Sequence, residues 1–144
     1  INTSYIGDFD NPDVKLPGSG GAPDIASMAE RLIIIMNHEK HRLVKKVDYI
    51  TSPGFLSGGD ERKKAGLIGG GPAVVITDRA ILRPYGPENE LHLTAYHPNH
   101  TVHEIMENTG WDLKSAPNVQ ETTSPTKVEL EALHQIDKDG FWRN

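Results

Sequence analysis

The segment Gly18-Ser-Gly-Gly-Ala22 sets three glycines in five residues, and this is the chain's best candidate for chemistry. Glycine reaches positive φ and has no Cβ to hold a ligand off the backbone. Such a loop can turn successive N–H groups outward. They can then meet a phosphate, a carboxylate, or a carbonyl oxygen gaining negative charge under nucleophilic attack. A tight turn alone would need the same residues, so the neighbours decide the weight of the motif. Pro23-Asp24 opens a short helical pattern, Leu32-Ile-Ile-Ile-Met36 reads as a buried strand, and Asn37-His38-Glu39-Lys40 follows it. Open α/β sheets bind ligands beyond strand ends of this kind. His38 is therefore a second candidate contact, with ordinary packing as its alternative. Asp24 reads as a cap or loop anchor rather than a reacting group.

Other chemistries fare less well. His97-x-x-His100-x-x-His103 has metal-like spacing, but Pro98 interrupts it and Thr101 reads as a helix cap between the rings, so no metal ligands are assigned. Asn99-His-Thr101 matches a glycosylation sequon, but no secretory signal is recognised. Cysteine is absent, which removes thiol nucleophiles and disulfides and suits a cytoplasmic protein. No Gly-x-Ser-x-Gly elbow, Walker loop or dinucleotide fingerprint occurs. A net charge of −5 speaks against nucleic acid as partner, and no apolar run reaches membrane-spanning length. Lys45-Lys46 and Arg62-Lys63-Lys64 read as solvated surface, with contact to an anionic phosphate as the alternative.

The elements that must position the glycine loop can be traced from periodicity and punctuation. Thr3 to Ile6 reads as a strand end, and Pro12 and Pro17 keep the chain extended up to the loop. Asp24 to Glu30 supplies about two helical turns. Tyr49-Ile50 suggests a short strand, and 54–72 a long surface loop without regular structure. Ala73 to Thr77 is a second apolar strand, and Ala80-Ile-Leu82 with Leu91 to Tyr96 forms a hairpin around Gly86-Pro-Glu-Asn89. Thr101-x-x-Glu104 and Thr126-x-x-Glu129 are capping boxes that start two helices. The first stops near Gly110, and the second carries Val128, Leu130, Leu133 and Ile136 at helical spacing. Ser115 to Pro125, polar between them, is expected to run over the surface. The fold class is α/β: an open, mostly parallel sheet flanked by helices, with antiparallel strands at its edge. Residues 1–144 are expected to form a single domain.

The ordered segments Asn2-Thr-Ser-Tyr-Ile-Gly-Asp8, Gly18 to Ala22 with Asp24, Met36-Asn-His-Glu-Lys40, Asp48-Tyr-Ile-Thr-Ser-Pro-Gly54, Val75-Ile-Thr-Asp78 and Glu107-Asn-Thr-Gly-Trp-Asp-Leu113 together resemble one family. It is the β subunit of the family I CoA-transferases, in particular their glutaconate branch. The resemblance implies an open sheet domain related to the sugar-phosphate isomerases. It also implies transfer of CoA between carboxylic acids, of glutaconate or 3-oxoacid type, through a glutamyl-CoA thioester, in a hetero-oligomer with a CoA-transferase α subunit. Acyl-CoA and free acid are then the substrates, coenzyme A is a substrate rather than a cofactor, and no metal or redox group is needed. Gly20 and Gly21 match the positions whose backbone forms the oxyanion hole. Gly18, Ser19 and Ala22 beside them, and His38, become the expected substrate and CoA contacts. The family's nucleophilic glutamate sits in a Ser-Glu-Asn-Gly or Glu-Ser-Gly type motif that this chain lacks, and Glu30, Glu39, Glu61 and Glu107 stand in other contexts. The chain is thus expected to correspond to the C-terminal part of the β subunit and to be inactive alone. Two alternatives share the scaffold: a CoA-ester hydrolase or lyase, and a non-catalytic acyl-CoA-binding subunit.

Overall fold

Short connections dictate much of the topology. The computed structural model describes residues 1–141. The chain opens with an antiparallel pair, β1 (Tyr5–Gly7) and β2 (Pro12–Lys15). Asp8 organises their turn, its carboxylate accepting from the amides of Asp10 and Asn11 at 2.9 and 3.2 Å. Helix α1 (Ala22–Met28) follows the glycine loop, then β3 (Leu32–Met36), the one-turn helix α2 (Glu61–Lys64), β4 (Pro72–Thr77), β5 (Ala80–Tyr85) and β6 (Glu90–Tyr96). Helix α3 (Val102–Glu107), β7 (Lys114–Glu121) and helix α4 (Lys127–Ile136) complete the order.

The main sheet runs β3-β4-β5-β6-β7. The pairs β3/β4 and β6/β7 are parallel, and β4/β5 and β5/β6 are antiparallel. The sheet is therefore mixed, and its antiparallel pairings lie at the centre rather than at the edge. Only Asp78 and Arg79 join β4 to β5, and Gly86 to Asn89 join β5 to β6. Links of that length allow only antiparallel neighbours, while the parallel pairs are reached through longer crossovers. Thr77 locks the first link: its Oγ1 accepts from the Ala80 amide at 2.9 Å and donates to the Ala80 carbonyl at 3.1 Å.

The core gathers Val75, Ala80, Leu82 and Leu93 from the central strands, with Ile105 of α3 and Leu113. Ile34 and Met36 pack onto it from β3, whereas Ile33 and Ile35 on the other face are 55% and 77% exposed. The apolar run 32–36 is thus covered on one face only. Thr101 caps α3 by accepting from the Glu104 amide at 3.2 Å, but the Glu104 carboxylate turns to Arg79 at 2.8 Å instead of closing the box. Thr126 and Glu129 do form the complete box on α4, whose apolar residues all remain exposed.

Three expectations are corrected. Tyr49-Ile50 forms no strand: Thr51 and Ser52 donate to the Ile1 carbonyl at 2.9 and 3.1 Å, contacts too few for a ladder. The polar stretch from Ser115 lies largely in a real edge strand, β7, whose register against β6 slips between Leu93 and Ala95, where Pro117 can be accommodated. The loop 54–72 is not structureless, because α2 lies within it and places its arginine, Arg62, in the interior.

Candidate functional site

The glycine loop is built from below by residues 1–4. The amides of Leu16 and Gly18 donate to the carbonyls of Ser4 and Thr3, both at 2.8 Å, so the chain enters the loop as if extending the first strand pair. Gly18 and Gly20 have φ of 93° and 50°, values that L side chains rarely adopt. Ser19 to Ala22 then closes a turn in which the Ala22 amide donates to the Ser19 carbonyl at 2.9 Å. Gly21 precedes α1 with φ −83° and ψ 0°, a conformation open to any residue, and its carbonyl accepts the Ile25 amide at 3.2 Å.

Adjacent donors remain, with the Ser19 amide likewise unpaired among the described residues. The amides of Gly20 and Gly21 meet no acceptor among the described residues, and both glycines are exposed. Atoms of this chain also leave the space above them free, since a Cβ added at Gly18, Gly20 or Gly21 would find nothing within 4 Å. Gly18 and Gly20 are thus glycine for their backbone angles. Gly21 is glycine for no reason found within these residues. Ser19 is half-buried, Ala22 is exposed at the first position of α1, and neither side chain takes part in a hydrogen bond.

His38 lies elsewhere. Its ring is 0% exposed, with Nδ1 paired to Thr77 Oγ1 at 3.1 Å and Nε2 to Thr109 Oγ1 at 3.0 Å and the Ile105 carbonyl at 3.2 Å. Its amide donates to the Asp78 carboxylate at 2.6 Å. Burial holds its pKa below that of a free imidazole; the Ile105 carbonyl opposes this shift and the Arg79 charge adds to it. A ring sealed and paired on both nitrogens has no surface left for a ligand, so the expected contact role of His38 is replaced by one in joining β3, β4 and α3.

The other histidines do not converge. His97 pairs with Thr122 Oγ1 at 2.8 Å and the Thr77 carbonyl at 3.0 Å, while His100 and His103 face Glu104 and Glu107 at 3.4 Å. Among the described residues no group of three His, Cys, Asp or Glu side chains could hold a metal ion, and no helix is long and apolar enough to cross a membrane.

Sequence reasoning missed Arg62. Taken as part of a solvated basic spot, it is only 5% exposed. Its Nε donates to the Gly69 carbonyl at 2.7 Å, Nη1 to Gly54 at 3.1 Å, and Nη2 to Ala26 and Ser27 at 2.6 and 3.0 Å. Nothing in the local string Glu61-Arg-Lys-Lys64 distinguishes it from its exposed neighbours. The hint lay in the flanking glycines, whose bare backbone offers carbonyls to a buried donor. A separate apolar cleft of about 510 Å³ lies over the sheet between Leu32, Ile34, Val75, Leu91 and Phe55, and it shares no lining residue with the glycine loop.

Known proteins are similar to this chain in sequence and fold. Residues 1–108 match the family described as Coenzyme A transferase. The chain is 47% identical over 137 residues to the β-type subunit of the 3-oxoadipate CoA-transferase of Pseudomonas knackmussii, covering 95% of this chain and 53% of that protein. It is 39% identical over 132 residues to the β-type subunit of the glutaconate CoA-transferase of Acidaminococcus fermentans, covering 90% and 49% respectively. The crystal structure of glutaconate coenzyme A-transferase from Acidaminococcus fermentans superimposes with a TM-score of 0.90 at 34% identity, over 100% of this chain and 55% of that one. The chain therefore spans about half the length of the curated relatives it matches.

Proposed function

This chain belongs to the coenzyme A transferase family, and from that premise we propose that it supplies the oxyanion-binding part of a heteromeric enzyme moving CoA between carboxylic acids. The observation that carries the reading is the pair of unengaged amides at Gly20 and Gly21, with open space over a Gly21 that its own chain does not require to be glycine. Attack on a thioester puts negative charge on the carbonyl oxygen, and two adjacent N–H donors are suited to receive it. Gly18 and Ser19 hold the turn, and Ala22 borders the acyl group.

The reaction balances without any oxidant or reductant. A glutamate carboxylate attacks the thioester carbon, the C–S bond breaks, and CoA leaves as thiolate, giving a mixed anhydride. The thiolate then attacks the glutamyl carbonyl, a C–O bond breaks, and the donor acid departs as carboxylate, leaving a glutamyl-CoA thioester. An acceptor carboxylate reverses the sequence. Coenzyme A is thus a substrate and no further cofactor takes part. The nucleophile comes from outside these residues: Glu39 pairs with Arg42, Glu61 with Lys64 and Glu107 with His103, and none belongs to the loop. An α-type subunit completes the site, in the cytoplasm. Relatives named for 3-oxoadipate and glutaconate make a dicarboxylate the favoured acceptor.

The test is acyl exchange by the assembled enzyme, full β-type subunit with α-type partner, between acetyl-CoA and glutaconate or 3-oxoadipate. Parallel double-reciprocal plots of a ping-pong route are expected, together with no exchange by residues 1–144 alone. Release of free CoA without an acceptor acid would favour the hydrolase reading. Tight binding of CoA esters without turnover would favour the binding-subunit reading.

A further inference from the structure

We propose that Arg62 is a positioning residue for the glycine loop: it clamps the C-terminal end of α1 and so sets where the Gly20 and Gly21 amides stand. This rests on the oxyanion reading of those amides given above.

Helix α1 has seven residues, too few to be stable by itself, and only Ala26 of them is buried. Ile25 and Met28 face outward, so apolar packing alone does not fix its axis. The carbonyls of Ala26, Ser27 and Ala29 at its C-terminal end, by contrast, are engaged. Arg62 Nη2 donates to Ala26 and Ser27 at 2.6 and 3.0 Å, the Gly69 amide donates to Ser27 at 2.8 Å, and the Gly70 amide donates to Ala29 at 3.1 Å. The same guanidinium reaches Gly69 through Nε and Gly54 through Nη1, tying three separate stretches of backbone to one planar group. A Cβ on Gly69 or Gly70 would overlap the carbonyl oxygens of Ala29 and Glu30, so the two backbones touch directly here.

Arg62 has no ion pair among the described residues. Its charge is met by carbonyl dipoles, including those at the negative end of α1. A buried guanidinium compensated in this way holds its geometry through every bond at once. Lysine cannot reproduce it, since an ammonium is a point donor without the fork. The reacting carbonyl would stand roughly 10 Å away along the helix, so Arg62 acts through α1 and not on the substrate.

The test compares Arg62→Lys and Arg62→Met in the assembled enzyme, with Lys63→Ala as control for loss of a positive charge at an exposed neighbour. Three quantities are read: the melting curve, kcat and KM for acyl-CoA, and amide hydrogen exchange resolved at Ala22 and Ile25. The expected result is a cooperative melt, kcat lower by roughly 10- to 100-fold with KM within about twofold, and exchange at Ala22 and Ile25 faster by about tenfold. Exchange at Val75 and Leu82 should not change, and Lys63→Ala should match the unaltered enzyme. Normal exchange in α1, or normal kcat despite faster exchange, would overturn the proposal. Failure of both variants to fold would also overturn it, by making Arg62 a determinant of the whole fold. If the unaltered enzyme exchanges no acyl groups, the functional reading falls, while the hydrogen-exchange arm still decides whether Arg62 holds the loop.

Discussion

Replacing Gly21 by valine separates a conformational glycine from a catalytic one. The backbone there, φ −83° and ψ 0°, is accessible to an L residue, and a Cβ meets nothing within 4 Å. The cost to folding is confined to exchanging glycine for a poorer residue just before α1, about 1 kcal/mol or less. That corresponds to a melting shift of a few degrees. The catalytic cost is of another order. Valine keeps the amide, but its branched side chain fills the open space beside it and holds the acyl oxygen off that donor; losing one oxyanion contact costs roughly 3–4 kcal/mol, or about 100- to 1,000-fold in kcat. Because the contact strengthens as charge develops, KM for acyl-CoA should change little. Single-turnover acyl transfer and thermal melting on the same assembled preparation give both numbers. Gly20→Val provides the contrast: at φ 50° the side chain is strained, so stability itself should fall, by about 1–3 kcal/mol. A well-folded Gly21→Val enzyme with near-normal kcat would refute the argument.

Stability should depend on pH through His38. Its folded pKa is depressed, so the unfolded chain binds a proton that the native state resists; stability is level above the unfolded pKa of about 6.5 and falls below it, with a slope of at most about 1.4 kcal/mol per pH unit. Denaturant melts from pH 7.5 to 5 should lose this component in His38→Gln, and an unchanged slope would assign it to other groups. Thr126→Ala removes the side-chain half of the α4 capping box, leaving the backbone N–H at 126 to donate to Glu129, and should cost about 1 kcal/mol, read as faster amide exchange in residues 127–131; unaltered protection would mean that other contacts hold α4 in place.

Much of the fold was legible from local signals. The apolar runs gave β3 and β4, the Gly86 to Asn89 turn gave the β5–β6 hairpin, and the two threonine caps gave the starts of α3 and α4. Each of these is decided within a few residues. What stayed hidden depends on distant partners. The edge strand β7 buries little more than the flanks of Ala116 and Val119 and contains a proline, so it has neither alternation nor a run. Arg62 is recognisable only once five carbonyls from three stretches surround it. His38 could equally have opened to a ligand; Thr77, Ile105 and Thr109 closed over it. The glycine loop was the inverse case. Its residue types announced it, but the freedom of two particular amides is a property of the folded turn.

The half-bare strand β3 bears on how such a chain must be handled by a cell. Among the described residues it pairs on one side only, with β4, and it presents Ile33 and Ile35 outward from an uncharged, largely β-branched stretch without proline. Unguarded edges of that composition recruit further strands, first from identical chains. Left uncovered, chains of this kind are prone to cross-β association, the more so the higher their local concentration. Any strand or layer laid over β3 would remove that hazard, provided it arrives before the isoleucines of two chains find each other.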